Sequence, residues 1–237
     1  MLLAVSSNIG GSTMRGEEIG NATLYLGDCR DVMQSGVEAH VCVMDPPYGI
    51  SYQSGHATEA LWKAGKKIEQ DDSTASRDFM IHLIHQKWGC TFPILCFGSW
   101  RAARPAATKM VLIWDKGGAL GMGDLSLPWK PDHEEIYVIG SGFIGSRDSG
   151  SVIRNPPVQS MARNGREHPN QKPVGLMGRL IAKTAGTVFD PFMGSGSTGA
   201  ACALAGRQFV GCEIRHEYFD IACRRIEDAQ RQVRMFP

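Results

Sequence analysis

The hexapeptide Gly194-Ser-Gly-Ser-Thr-Gly199 lies close to the end of a 237-residue chain, and that position limits the fold more than any other feature. It follows a short apolar run, Thr187-Val-Phe189. It precedes a small-residue stretch reaching Ala205 and a second run over 208–214, so it reads as the turn of a strand-loop-helix-strand unit. In the pattern G-x-G-x-x-G the glycines let the backbone approach a ligand, and an acid ending the next strand takes ribose hydroxyls. Glu213 stands at that place, roughly twenty residues on. Too little chain follows for the other half of a dinucleotide-binding sheet, so the remaining strands must come from upstream and the fold must be permuted.

Upstream, strands are expected over 23–26, 41–44, 92–97, 109–114 and 135–139, with helices over 77–88, 173–185 and 217–234. The run Val41-Cys-Val-Met44 is apolar at every position, which suits a strand covered on both faces, as in parallel sheets. With 43% apolar and 21% charged residues, most of the chain should fold. The fold class is therefore α/β: a permuted Rossmann-like, mostly parallel sheet flanked by helices, carrying a small inserted region. Residues 1–20, rich in Gly, Ser and Asn, read as a mobile lead-in, and 21–237 as a single domain with insertions at about 50–78 and 141–167.

Asp45-Pro-Pro-Tyr-Gly49 closes the strand at 41–44, and ligands bind at the carboxyl ends of strands in open parallel sheets. Two prolines stiffen the turn and donate no hydrogen bond, so the Asp45 carboxylate and a proline carbonyl make a rigid pair of acceptors. Such a pair suits an exocyclic amine, whose lone pair is delocalised into its ring until both N–H groups are engaged. Tyr48 is placed to stack on an extracted base, worth about 1–3 kcal/mol. The bland readings are a capped turn at 45–49 and a packing turn at 194–199. Asp190, which opens the glycine loop, would repel a pyrophosphate but suits a cofactor bearing a sulfonium and an ammonium, so S-adenosylmethionine is favoured over NAD.

Five stretches in this order resemble the beta-type amino-methyltransferases of DNA: Gly27-Asp-Cys29, Asp45-Pro-Pro-Tyr-Gly49, His168-Pro-Asn-Gln-Lys-Pro173, Asp190-Pro-Phe-Met-Gly-Ser-Gly196 and Gly211-Cys-Glu-Ile214. The resemblance implies transfer of a methyl group from S-adenosylmethionine to N6 of a flipped adenine in double-stranded DNA. It makes Asp45, Pro46, Pro47 and Tyr48 the reaction motif. It makes Asp28, Cys29, Asp45, Lys172, Asp190, Phe192, Gly194, Ser195, Gly196, Ser197, Thr198 and Glu213 the cofactor site, with Glu213 on the ribose, Asp28 and Cys29 facing the adenine ring and Lys172 near the methionine end. Ser197 and Thr198 would offer helix-start N–H groups to the cofactor carboxylate. Asn170 and Ser197 stand where threonine is commoner in the family.

The alternatives are cytosine-N4 methylation within the same chemistry, and, from other classes, an NAD-dependent oxidoreductase or a non-catalytic DNA-binding module. No cysteine follows a proline in a way that suggests attack on a cytosine ring carbon. The seven cysteines lack a Cys-x-x-Cys pair and read as reduced core thiols, and the seven histidines form no ligand set, so no metal is expected. The formal charge of +1 leaves basic residues free to cluster. Lys63, Lys66 and Lys67 in one insertion and Arg147, Arg154, Arg163 and Arg166 in the other are the DNA-facing candidates. The opening Met1-Leu-Leu-Ala-Val5 has no basic flank, and no stretch approaches a membrane span, which reads as a cytoplasmic chain. So little protein for reading bases is compatible with a homodimer, and with a restriction endonuclease partner in the cell. The whole reading requires that the strand ends at 45 and 190 be neighbours.

Overall fold

The apolar run at 41–44 sends alternate side chains to two different cores. Val41 and Val43 pack with helices on one face of a sheet, and Cys42 and Met44 with helices on the other. The computed structural model describes residues 3–9, 12–48, 73–118, 126–158 and 171–235. In chain order its elements are β1 (Leu3–Ile9), β2 (Ser12–Ile19), β3 (Ala22–Leu26), α1 (Cys29–Gln34), β4 (Val41–Met44), α2 (Ala75–Trp88), β5 (Ile94–Gly98) and β6 (Thr108–Asp115). There follow β7 (His133–Ile139), β8 (Val152–Arg154), α3 (Val174–Ile181), β9 (Val188–Asp190), α4 (Ser197–Leu204), β10 (Phe209–Glu213) and α5 (His216–Met235).

The strands form one sheet in the order β1-β2-β3-β10-β9-β4-β5-β7-β6-β8. Its five central strands, from β3 to β5, run parallel. β7 is antiparallel to both its neighbours, and β8 lies parallel to β6 at the edge. Residues of α3, α4 and α5, among them Leu176, Leu180, Ala201, Phe219 and Ile226, bury one face. Val32 and Met33 of α1 and Met80, Ile81 and Ile84 of α2 bury the other. Because β9 and β10 follow β4 in the chain yet sit between β3 and β4, the permuted α/β sheet is as expected. All seven cysteines are free thiols. Among the described residues no helix is long and apolar enough to cross a membrane.

Three expectations are corrected. The mobile lead-in expected over 1–20 instead carries two strands: β1 and β2 pair antiparallel, and β2 pairs with β3 from Arg15↔Leu26 to Ile19↔Ala22. Ile19 is buried and Arg15 lies over the Phe219 ring, which fixes β2 on the core although its sequence has no apolar alternation. The helix expected over 173–185 stops at Ile181, whose carbonyl accepts from the Thr184 N–H and from the Arg207 guanidinium. The stretch 141–166 is not all loop, since β8 seats Ile153 in the core.

Candidate active site

The carboxyl ends of four adjacent strands, β3, β10, β9 and β4, carry Asp28, Glu213, Asp190 and Asp45 in a row. Three inter-strand steps of about 4.8 Å make that row roughly 14 Å long. The pairing Val41↔Val188 and Cys42↔Phe189 sets the strand ends leading to Asp45 and Asp190 side by side, which was the requirement of the motif reading.

The glycine turn shows why these residues are used. Gly194 and Gly196 have φ of 52° and 77°, in the left-handed region open to glycine, and Gly196 is the N-cap of α4. A Cβ on Gly199 would lie 2.4 Å from Ile226 Cδ1 of α5 and 2.8 Å from Phe209 Cε1 of β10, so the third glycine lets helix, helix and strand close together. Asp190 accepts from the Thr198 hydroxyl at 2.6 Å and from the Phe192 N–H at 3.1 Å. Glu213 accepts from the Gly194 N–H at 3.0 Å and the Arg215 N–H at 2.8 Å, tying the first glycine to the following strand. Burial raises both carboxyls, Asp190 to about 7, against the pull of those hydrogen bonds.

Ser195 and Ser197 are buried, and their hydroxyls lie 2.9 and 3.4 Å from the guanidinium of Arg225 on α5. Their side chains thus brace the loop from behind, leaving the backbone N–H groups at the start of α4 as what they offer a ligand. Asp28 caps α1 through the Arg30 N–H at 2.9 Å and pairs with its guanidinium. Burial pushes the Cys29 thiol up to about 12, which keeps it neutral, and the Gly27 N–H donates to the Glu213 carbonyl at 2.9 Å. Those contacts set Asp28 and Cys29 beside Glu213.

The reaction side gathers distant residues. Tyr48 Oη donates at 2.7 Å to Asp45 Oδ1 or at 2.9 Å to Glu134 Oε2. Buried Lys172, just before α3, places Nζ 2.8 Å from Asp45 Oδ2, 3.0 Å from Glu134 Oε2 and 2.9 Å from Tyr48 Oη. Its ammonium also lies over the rings of Phe97, Tyr48 and Trp114, 4.9, 5.4 and 5.9 Å from their centroids. Lys116 Nζ reaches Glu134 Oε1 at 2.6 Å. Burial raises the Asp45 carboxyl and outweighs Lys172, whereas Lys172 and Lys116 together overcome burial and hold Glu134 down at about 2. Lys172 therefore stands on the reaction motif itself. Glu134 and Lys116 were not found by sequence reasoning; the one hint was a pair of acids, Glu134 and Glu135, opening an otherwise apolar run.

The proposed DNA-facing residues divide. Lys63, Lys66, Lys67, Arg163 and Arg166 lie outside the described residues. Arg154 is exposed at the carboxyl end of β8, opposite Asp115, and so shares the reaction edge of the sheet. Arg147 does not: Ser146 and Asp148 on either side of it bond Lys183, and the nearby Ser141 N–H donates to the Thr91 carbonyl. Those partners precede β9 and β5, at the amino ends of the strands. The loop reaches the reaction edge only after it has left Arg147 behind. Among the described residues no group of three or more His, Cys, Asp or Glu side chains is placed to hold a metal ion.

A family model described as DNA methylase matches residues 113–224. The chain is 32% identical over 245 residues to the Type II methyltransferase M2.MboI of Moraxella bovis, covering 88% of each. Over 83 residues, 34% of this chain and 28% of the other, it is 39% identical to the DNA adenine methyltransferase YhdJ of Escherichia coli strain K12. In fold it is similar to the M1.HpyAVI–SAM complex, with a TM-score of 0.60 at 20% identity over 86% of this chain and 99% of that one. The likeness to M2.MboI runs through nearly the whole of both proteins, and this chain belongs to the DNA methylase family.

Proposed function

We propose that the chain is a site-specific DNA methyltransferase that moves a methyl group from S-adenosylmethionine to N6 of an adenine flipped out of double-stranded DNA. The observation that carries this reading is the adjacency of Asp45 and Asp190: an acceptor for an amine sits one strand away from a buried anionic pocket. The residues fit the cofactor. Asp190, Glu213 and Asp28 give a row of carboxylates for a ligand with cationic groups and ribose hydroxyls, and the α4 N-terminus faces that row with N–H groups suited to a carboxylate. The same row opposes the pyrophosphate of NAD, which sets the oxidoreductase alternative aside.

When bound, S-adenosylmethionine supplies a methyl group on a positively charged sulfur that leaves as a neutral thioether. Asp45 accepts an N–H of the target amine, with the Pro46 carbonyl as second acceptor, and draws the nitrogen lone pair out of the ring. As the new N–C bond forms, the amine must shed one N–H proton, and the Asp45 carboxylate takes it before passing it to water; a carboxyl raised by burial is suited to hold a proton at that moment. Tyr48, fixed through its hydroxyl, presents its ring to the extruded base. The Type II name of M2.MboI supports a place beside a restriction endonuclease. The short stretches of sequence left for insertions, about 50–78 and 141–167, support a homodimer on DNA.

Asp45→Ala is expected to lower single-turnover transfer of labelled methyl groups to DNA by about 10²–10⁴-fold while calorimetry still finds the cofactor bound. Wild-type transfer in that variant would remove Asp45 from the reaction. Nucleoside digestion of methylated DNA should yield N6-methyladenine, and N4-methylcytosine in its place would move the target base while leaving the amine chemistry standing.

A further inference from the structure

Both oxygens of Asp45 are already engaged: Oδ1 by the Tyr48 hydroxyl at 2.7 Å, and Oδ2 by the Lys172 ammonium at 2.8 Å. An incoming amine must compete with these groups for the acceptor it needs. Lys172 is only 6% exposed, so releasing it from Asp45 with nothing else to hold it would strand a buried, unpaired ammonium, which is strongly unfavourable. Glu134 removes that cost. Its Oε2 is 3.0 Å from Lys172 Nζ and 2.9 Å from Tyr48 Oη, so each group that occupies Asp45 has Glu134 as its second carboxylate. The single Tyr48 hydroxyl proton serves only one of the two acceptors at a time.

We propose that Glu134 is a positioning residue that takes over the Lys172 ammonium and the Tyr48 hydroxyl when the target amine claims Asp45. This rests on the role given to Asp45 above. Lys116, 2.6 Å from Glu134 Oε1, anchors the carboxylate from the far side and leaves Oε2 for the exchange. The rings of Phe97, Tyr48 and Trp114 lie around the ammonium and attract it without a fixed hydrogen-bond direction, so a small shift from one carboxylate to the other costs little. The two carboxyls differ as the exchange requires: Glu134, held at about 2, stays an anion while Asp45, raised by burial, accepts a proton.

The test compares single-turnover methylation by Glu134→Gln, Lys172→Met, the double variant and Asp45→Ala, with cofactor and duplex affinities measured alongside. Glu134→Gln should slow transfer by about 10²-fold, in the range of a lost acid–base positioning group, with both affinities unchanged. In the double variant Asp45 is free of its competing cation, so transfer should recover above that of Glu134→Gln alone, with its pH profile displaced upward because Asp45 has lost the cation that favoured its ionised form. A residue that only supported the fold would give losses that multiply. Wild-type transfer by Glu134→Gln, or a double variant no better than the product of its parents, overturns the proposal. Should neutralising Glu134 prevent folding, Lys116→Met leaves the carboxylate present but unanchored: a smaller loss in the same direction supports the exchange, and an unchanged rate overturns it. An active Asp45→Ala would sink the underlying reading, whereas a dead Asp45→Ala beside a full-rate Glu134→Gln sinks the exchange alone.

Discussion

Asp190 and Glu213 are satisfied by uncharged donors of their own strand-loop-helix-strand unit: the Thr198 hydroxyl and the N–H groups of Phe192, Gly194 and Arg215. Asp45 and Glu134 instead face two lysines that arrive from other parts of the chain. Neutral donors orient a carboxylate without cancelling its charge, so the cofactor side keeps net negative character. On the reaction side, among the described residues, two carboxylates meet two ammonium groups, and that cluster is neutral in sum. A pocket left negative suits a cationic cofactor. A cluster with no net charge suits a neutral base, for which an unbalanced buried charge would only add desolvation cost.

The largest expected break in this contrast comes from Gly199. Gly199→Val puts side-chain carbon where Ile226 and Phe209 already stand, and overpacking of this kind costs about 1–3 kcal/mol, a fall in Tm of roughly 2–12 °C for a domain of this size. The same strain displaces the start of α4, so the rise in Tm that the cofactor gives the parent protein should shrink. Asp45→Ala should do the opposite, sparing cofactor binding while transfer is lost. Thermal melts of both variants with and without the cofactor decide whether the halves are separable; a Gly199→Val protein that melts and binds like the parent would show that the close approach is not needed.

The cofactor half was legible because it is local. The glycine turn, its leading acid and the acid after the next strand lie within one unit whose φ angles and close contacts call for those residue types. The five parallel strands were legible for a related reason: a strand covered on both faces must be apolar throughout, as Val41-Cys-Val-Met44 is. The reaction half was only partly legible. Asp45 and Tyr48 are adjacent in sequence, but Glu134 reaches Tyr48 across 86 positions and Lys172 reaches it across 124. No local pattern encodes a contact of that kind; only the antiparallel entry of β7 beside β5 brings the start of β7 to the reaction edge. The β2 strand was missed for want of an apolar alternation, since Arg15, itself paired with Glu17 in the strand, holds it to α5 through Asp220 and the Phe219 ring.

A smaller effect should appear when pH is varied. Burial raises the Asp190 carboxyl to about 7, and among the described residues its hydrogen-bond donors are uncharged, so it is largely protonated below that pH. A bound sulfonium or ammonium favours the ionised form and lowers its pKa, so binding below about 7 must release a proton. Cofactor affinity should therefore weaken as pH falls, by at most about tenfold per pH unit, and become indifferent to this group above about 7. Calorimetry in two buffers of different ionisation heat would count the released proton. Affinity that does not change across roughly pH 6 to 8 would mean that Asp190 is not the group that meets the cation.

The smallest effect separates two arginines of the same loop. Arg154 ends β8 on the reaction edge, with its Nε 3.8 Å from Asp115, and Arg147 lies between residues tied to Lys183 at the other end of the sheet. A phosphate contact at Arg154 would release about one counterion, so Arg154→Ala should flatten the dependence of log affinity on log salt by about one for any duplex, whatever its sequence. Arg147→Ala should leave that slope where it was, because DNA seated over Asp45 and Glu134 lies a strand's length away. Equal losses from the two variants would mean that the duplex wraps past the reaction edge to the amino ends of the strands, and the division of the sheet into a binding edge and a structural edge would fall with it.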